Sequence, residues 1–394
     1  VRELRSHAVR FGLRNALAVL VGTAISAAAV ITGAMTILVA RVVVTPPRLL
    51  REVVVVKGVD LDECTVTLDA SPDTVLPGRY GLWFSLDSGH AKLGDIVTRD
   101  AATVTRRLLA VDFGDIASAT RARFSGWFYL TPADHGFDAE SVMIPTELGP
   151  APAWIVEPEG GSERWVVLVH GRGVRRQEAL RAVPVFLEAG YACLLVSWRN
   201  DGEAPWSADR RYALGNTEWR DVDAAMAFAA GRGATDIVLM GWSMGGAVAL
   251  QALTRSPLAG LVRGVALESP VVDWAPTLDF QAREMRVWGP VRRAVLRLLS
   301  SERMHRLAGL DAPLDFPALD FVRRADELAV PILIQHSDDD GYVPPSASKE
   351  LAALRPDIVT MHRWTGARHA KLWNYDPDRF TAEVRDWLGG LSPR

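Results

Sequence analysis

Residues 241–245 read Gly-Trp-Ser-Met-Gly, with the apolar run "DIVLM" directly before them and the helix-forming "AVALQAL" shortly after. A hydroxyl between glycines at a sharp strand-to-helix turn is held exposed, because small neighbours let the backbone fold tightly around it. That spacing makes Ser243 a candidate nucleophile; the competing reading is a glycine-rich turn without chemistry. A serine hydroxyl alone is a poor nucleophile at neutral pH, so it needs an adjacent base and an orienting acid. "ILIQHSDDDGYVPP" ends an apolar strand in three aspartates, and Asp340, which opens Asp-x-x-Val-Pro, is the expected acid. Asp338 or Asp339 is then expected to cap the helix "SASKELAAL", since three carboxylates cannot all orient one imidazole. His369, in "WTGARHAKLW", follows the last apolar strand and is the expected base; His362, inside "IVTMHRW", is better explained by packing. His369 would take the Ser243 proton while Asp340 fixes its tautomer and stabilises the imidazolium.

An acyl-transfer site also needs two backbone donors for the oxyanion. The Met244 amide is one, and the Arg172 amide, after the strand-ending "VVLVHGRG", is the other. His170 in the same stretch is expected to be structural. "SWRNDGEAP" follows a strand at the ligand-gathering side of such a sheet, so Arg199 and Asp201 are candidates for substrate contact. A fixed loop with internal hydrogen bonds is the favoured reading, because Asn, Asp and Gly form turns. Glu218 and Asp221 open a helix, where carboxylates meet the positive end of its dipole, and are read as structural. No His/Cys/Asp spacing suggests a metal site and no phosphate loop is present, so no cofactor is expected.

These residues require a scaffold. From about 141 a hairpin, "MIPTELGPAPAWIVEP", is followed by alternating strands and helices: "RWVVLVH", "EALRAVPVFLEAG", "YACLLVSW", "EWRDVDAAMAFAAG", "DIVLMG", "GAVALQALTRS", "VRGVALES". The strand runs are continuously apolar, as in a parallel sheet covered on both faces. Residues 274–327 interrupt the rhythm with an Arg-rich, mainly helical insertion, expected to be a cap over the nucleophile. The alternation resumes at "PILIQHS" and "IVTMHRW" and closes on the amphipathic "DRFTAEVRDWLGGL". Residues 51–140 differ: short β-type runs such as "CTVTLDA", "YGLWFSL" and "TVTRRLLAVDF" predict a small β-rich domain, too short for a propeller.

With "HGRG", "GWSMGG", "DDDGYVP" and "GARHA" in the order nucleophile, acid, histidine, the chain resembles the alpha/beta-hydrolase superfamily, within it the ABHD-like and serine-aminopeptidase-like groups. The resemblance spans about residues 141–390. It implies an α/β fold with a doubly wound, mostly parallel sheet and small helical cap, a catalytic triad, and hydrolysis of esters or amides. The expected organisation is 1–45 tail and transmembrane helix, 46–140 β-rich domain, 141–394 catalytic domain. An ester substrate is the first reading. A membrane-tethered peptidase needs a carboxylate for a free amino terminus, for which Glu203 and Glu268 are the candidates. A catalytically silent binding module is the third.

The bulk numbers fit. The 394 residues, half of them hydrophobic and a quarter charged, describe a folded chain, and a net charge of −3 gives no reason to expect nucleic acid as a partner. The two cysteines, Cys64 and Cys193, lie far apart and are not expected to pair. From Ala16 to Ala40 no charge occurs; at about 1.5 Å per residue that run exceeds the ~30 Å hydrocarbon core. The run predicts a single-pass anchor, hence membrane lipid as a partner; a cleaved signal peptide competes, although its apolar region is usually only ~7–15 residues. Arg2, Arg5, Arg10 and Arg14 precede the span while Arg41, Arg48, Arg51 and Lys57 follow it. The short basic tail tips the expected orientation toward tail inside and catalytic domain outside the cytoplasm.

Overall fold

The computed structural model describes residues 20, 23, 26–47 and 51–391, which divide into two compact units. The tail arginines Arg2, Arg5, Arg10 and Arg14, and Arg48, lie outside the described residues, as does most of 16–25.

The first unit joins the N-terminal helix α1 (Ser26–Val44) to residues 282–314. α1 is 19 residues long with mean hydropathy 2.1, and its apolar side chains stand mostly exposed, Val30 at 72% and Leu38 at 64%. Its threonines return their hydroxyls to the helix itself, Thr32 to Ala28 O and Thr36 to Thr32 O, so the side chains need no water. Arg41 Nε donates to Leu307 O at 2.9 Å, tying the end of the helix to the segment drawn from the insertion.

The second unit begins with a closed antiparallel barrel of β1 (Val54–Asp60), β2 (Thr65–Asp69), β3 (Tyr80–Phe84), β4 (Gly89–Arg99), β5 (Thr103–Phe113) and β6 (Arg121–Ser125), in the order β1-β2-β5-β4-β3-β6. Alternation sets its interior: Val66 and Leu68, Tyr80, Leu82 and Phe84, Val104 and Leu108, Ala122 and Phe124 all face the core. Arg106 breaks the pattern, fully buried among these apolar groups. Its guanidinium donates to the carbonyls of Thr74, Leu76, Gly78 and Gly94, so it pins the 70–79 loop to the barrel. Burial brings its pKa down to about 10.

The same unit contains an eight-stranded sheet of β7 (Glu140–Thr146), β8 (Gly149–Val156), β9 (Arg164–Val169), β10 (Ala192–Val196), β11 (Asp236–Trp242), β12 (Val262–Glu268), β13 (Ile332–Ser337) and β14 (Val359–Trp364), ordered β14-β13-β12-β11-β9-β10-β8-β7. The hairpin β7–β8 is antiparallel and the other six strands run parallel. Every residue of β10, and of β9 after Arg164, is buried, which is why those strands read as unbroken apolar runs. Helices α2 (Val183–Glu188), α3 (Trp219–Gly231), α4 (Met244–Arg255), α5 (Trp274–Glu284), α6 (Gly289–Leu299), α7 (Ser346–Leu354), α8 (Leu372–Tyr375) and α9 (Pro377–Gly389) complete the chain. "EALRAVPVFLEAG", expected as one helix, is a 3₁₀ turn over Arg176–Ala182 followed by the short α2. Pro184 has no N–H to continue the earlier turn, so it sits where a new helix starts. α6 is amphipathic: Val291, Val295, Leu298 and Leu299 are buried while Arg293 and Arg297 are exposed.

Candidate active site

The turn between β11 and α4 holds Ser243 at φ 53°, ψ −118°, a left-handed conformation unfavourable for any residue with a Cβ. Its surroundings enforce that conformation. The Ser243 N–H donates to Glu268 O, while its carbonyl accepts from Gly246 and Val271. Gly245 is obligatory: a Cβ there would lie 2.1 Å from Val169 O and 2.4 Å from His170 O. Ser243 Oγ thus projects from the C-terminal end of the parallel sheet.

Two distant loops converge on it. His369 Nε2 lies 2.9 Å from Ser243 Oγ, and His369 Nδ1 lies 2.7 Å from Asp340 Oδ2. With Nδ1–H donating to the carboxylate, Nε2 is left as the acceptor for the serine hydroxyl. The other Asp340 oxygen accepts from the amides of Tyr342 and Val343, which explains the Asp-x-x-Val spacing. Burial alone would raise the Asp340 pKa, but the His369 charge and hydrogen bonds from His336 and His369 hold the carboxyl well below its ordinary range. His336 Nε2 sits 3.3 Å from the same oxygen, a partner that sequence reasoning missed. The neighbouring aspartates do other work. Asp338 pairs with Lys349 and Arg363, which lower its pKa to about 2, and Asp339 accepts from Gly366 N at the head of the histidine loop. Neither caps α7, whose first turn follows Pro344-Pro345 with no side-chain cap.

Met244 opens α4, where first-turn amides have no intrahelical partner. The loop carrying Arg172 passes beside Ser243: a Cβ on Gly171 would lie 3.4 Å from Ser243 Cβ. Glu178, also unforeseen, accepts from Gly171 N at 2.9 Å and so fixes that loop. Behind it Arg181, 3% exposed, lies within ion-pair distance of Glu178 (3.7 Å) and Glu268 (3.5 Å). Arg181 Nη1 also donates to Ala370 O and Asn374 Oδ1, and Glu268 accepts from Trp242 Nε1 and Leu372 N. One buried ion cluster therefore ties the Gly171–Arg172 loop, β11 and the histidine loop together.

The barrel joins the same assembly. Asn374 Nδ2 donates to Arg79 O and Gly126 O, Arg79 N donates back to Asn374 O, and Lys371 Nζ pairs with Asp73 at 2.8 Å. A cavity of about 350 Å³ opens over Ser243 and His369, and its wall includes residues Arg123 to Trp127 of the barrel. The remaining polar clusters are bonded internally. His170 stacks on Trp198 and meets Asp201, Arg199 forks onto Asp221 and reaches Glu147, and Glu218 accepts from Ala213 N and Gly215 N. His362 faces Glu383 from β14.

A mixed eight-stranded sheet with a strained serine turn after β11 defines the alpha/beta hydrolase fold. The profile of the Alpha/beta hydrolase family matches residues 166–383, more than half of the chain, and the chain belongs to that family. Residues 55–125, the barrel, match a domain of unknown function, DUF8805. A search of curated proteins finds no match. Among solved structures, the Pyrococcus furiosus esterase Pf2001 is similar at TM-score 0.52 and 18% identity, over 66% of this chain and 94% of that one. A Mycobacterium tuberculosis puromycin-hydrolyzing peptidase is similar at TM-score 0.50 and 18% identity, over 84% of this chain but 47% of its own length. At such identities the likeness is one of fold.

Proposed function

We propose that the protein is a serine hydrolase that cleaves carboxylic esters through an acyl-enzyme. The observation that carries this is the chain of contacts Asp340–His369–Ser243, built on a strained turn and opening into a cavity of about 350 Å³. Ser243 attacks the ester carbonyl while His369 Nε2 takes its proton. The amides of Met244 and Arg172 stabilise the oxyanion, and His369 returns the proton to the leaving alcohol. Water, activated by the same imidazole, then releases the acid. Ester rather than peptide cleavage is supported by the carboxylates nearby. Glu203 is engaged by Arg175 and Arg176, Glu268 lies under Arg181, and Glu178 is bonded to Gly171, so none is left to hold a free amino terminus. The test is hydrolysis of short p-nitrophenyl esters by wild type and Ser243→Ala. Loss of the nucleophile is expected to lower turnover on the order of a million-fold; a variant retaining more than a few per cent would remove Ser243 from the mechanism.

We also propose that α1 anchors the enzyme in a membrane, its basic tail on the cytoplasmic side and its hydrolase domain outside. The length and exposed apolar surface of α1 support this. Detergent, but not alkaline carbonate, should release the protein, and a mature chain beginning beyond Ala29 would make the helix a cleaved signal instead.

A further inference from the structure

The barrel supplies one wall of the cavity above Ser243, and the lining brings together cations from that wall and from the loops beside it. Arg123 comes from β6, Lys371 stands two residues after His369, and Arg172 follows the oxyanion glycine; Glu178 is the lone carboxylate among the lining residues. Glu178 is already committed to Gly171 N and to the Arg181 ion pair. The counter-ions of the two flanking cations lie outside the lining. Asp87 holds Arg123 Nη2 at 2.7 Å and Asp73 holds Lys371 at 2.8 Å, both carboxylates being far more exposed than their partners. Strand alternation turns Phe124 into the barrel core and Arg123 outward, where its guanidinium lies over the Trp83 ring, 5.2 Å from its centroid. Arg123 Nε is buried without a partner, so the ion pair with Asp87 leaves part of its donor fork unused. A guanidinium largely withdrawn from water with a donor left over favours an anionic guest.

We propose that this cavity selects esters whose acyl or alcohol part carries a negative charge, a carboxylate or a phosphate, with the barrel's Arg123 and the histidine loop's Lys371 holding that group. The β-barrel is then the specificity element of the enzyme. This rests on the serine-hydrolase reading of the same site.

The experiment compares two probes of similar length, p-nitrophenyl valerate and the p-nitrophenyl monoester of glutaric acid, on the full-length protein in detergent. The wild type should prefer the glutarate ester in kcat/KM, chiefly through KM. Arg123→Gln should lower the glutarate-to-valerate ratio about ten- to a hundredfold, the range of a hydrogen bond between charged groups. Arg123→Lys should restore part of it. Asp87→Asn, which removes the competing carboxylate, should raise the ratio, an outcome that a merely structural ion pair would not produce. Inorganic phosphate and glutarate, titrated against glutarate-ester hydrolysis, distinguish the two kinds of anion. Ratios near one in the wild type, or equal losses on both probes in Arg123→Gln, would overturn the proposal while leaving the hydrolase reading intact. If the folded wild type cleaves neither ester, the hydrolase reading fails. Calorimetry of glutarate and phosphate binding then decides the subsite alone: binding that Arg123→Gln abolishes upholds it, and no binding to the wild type overturns it.

Discussion

Replacing Arg181 with Met should be among the most destabilising single changes in this chain. Arg181 is buried between Glu178 and Glu268, and it is the hydrogen-bond donor to Ala370 O and Asn374 Oδ1. Removing one partner of a buried ion pair costs about 3–5 kcal/mol, because a desolvated charge is left behind. Each abandoned acceptor adds about 1–3 kcal/mol when considered alone. These terms overlap, and the ion-pair distances here exceed hydrogen-bond length, so about 4 kcal/mol is the working figure. Against a typical total of ~5–15 kcal/mol, that is a large share. Urea unfolding should report it as a lower midpoint at unchanged slope. The double variant with Glu268→Gln should recover part of the loss, since the uncompensated carboxylate is then neutral. Surviving folded enzyme should also lose turnover, because Ala370 adjoins His369 and small misplacements of catalytic groups cost up to ~10²-fold. A loss below about 1 kcal/mol, or strict additivity with Glu268→Gln, would refute the cluster as a structural keystone.

Asp340→Asn should cost ~10⁴-fold in turnover, by disturbing the tautomer of His369, whereas Asp338→Asn and Asp339→Asn should cost far less. Because the folded carboxyl of Asp340 titrates below its unfolded value, its stabilising contribution is complete above about pH 4 and disappears as pH falls further. The stability gap between wild type and Asp340→Asn should therefore be constant from neutral pH to about 4 and narrow below it, and a gap that widened in acid would reverse this sign. Asp273 behaves oppositely. Burial, opposed by the Ala275 amide and aided by Asp320 and Glu350, raises it to about 6, so the protein loses stability as pH rises through that value. Asp273→Asn keeps an acceptor for Ala275 N and should melt higher than wild type at pH 8, the advantage fading toward pH 4; equal melting temperatures at pH 8 would contradict it.

The candidate site's local geometry was legible in the sequence because each motif encodes its own turn. The Gly-x-Ser-x-Gly turn, the Asp340 loop whose oxygen takes the Tyr342 and Val343 amides, and the histidine loop are short-range structures. The continuous apolar runs of β9 and β10 likewise announced buried parallel strands. What joins these pieces was not readable. Arg181 lies in a segment whose spacing suggests an ordinary helix, and nothing local reveals that its partners sit at 268, 370 and 374. The barrel's contribution to the cavity has the same character, since Asn374 reaches Gly126 and Lys371 reaches Asp73 only through the tertiary fold. Arg106 shows the same limit: nothing local in β5 announces that this charge turns inward and gathers the carbonyls of Thr74, Leu76, Gly78 and Gly94.

The account turns on Ser243 being a nucleophile activated by His369. Reaction of the full-length protein with a fluorophosphonate, followed by mass mapping of the adduct, tests that directly. A single adduct on the peptide containing Ser243, absent in Ser243→Ala and formed far more slowly in His369→Ala, is the predicted result. An adduct at another residue, or none on folded wild-type protein, would contradict it.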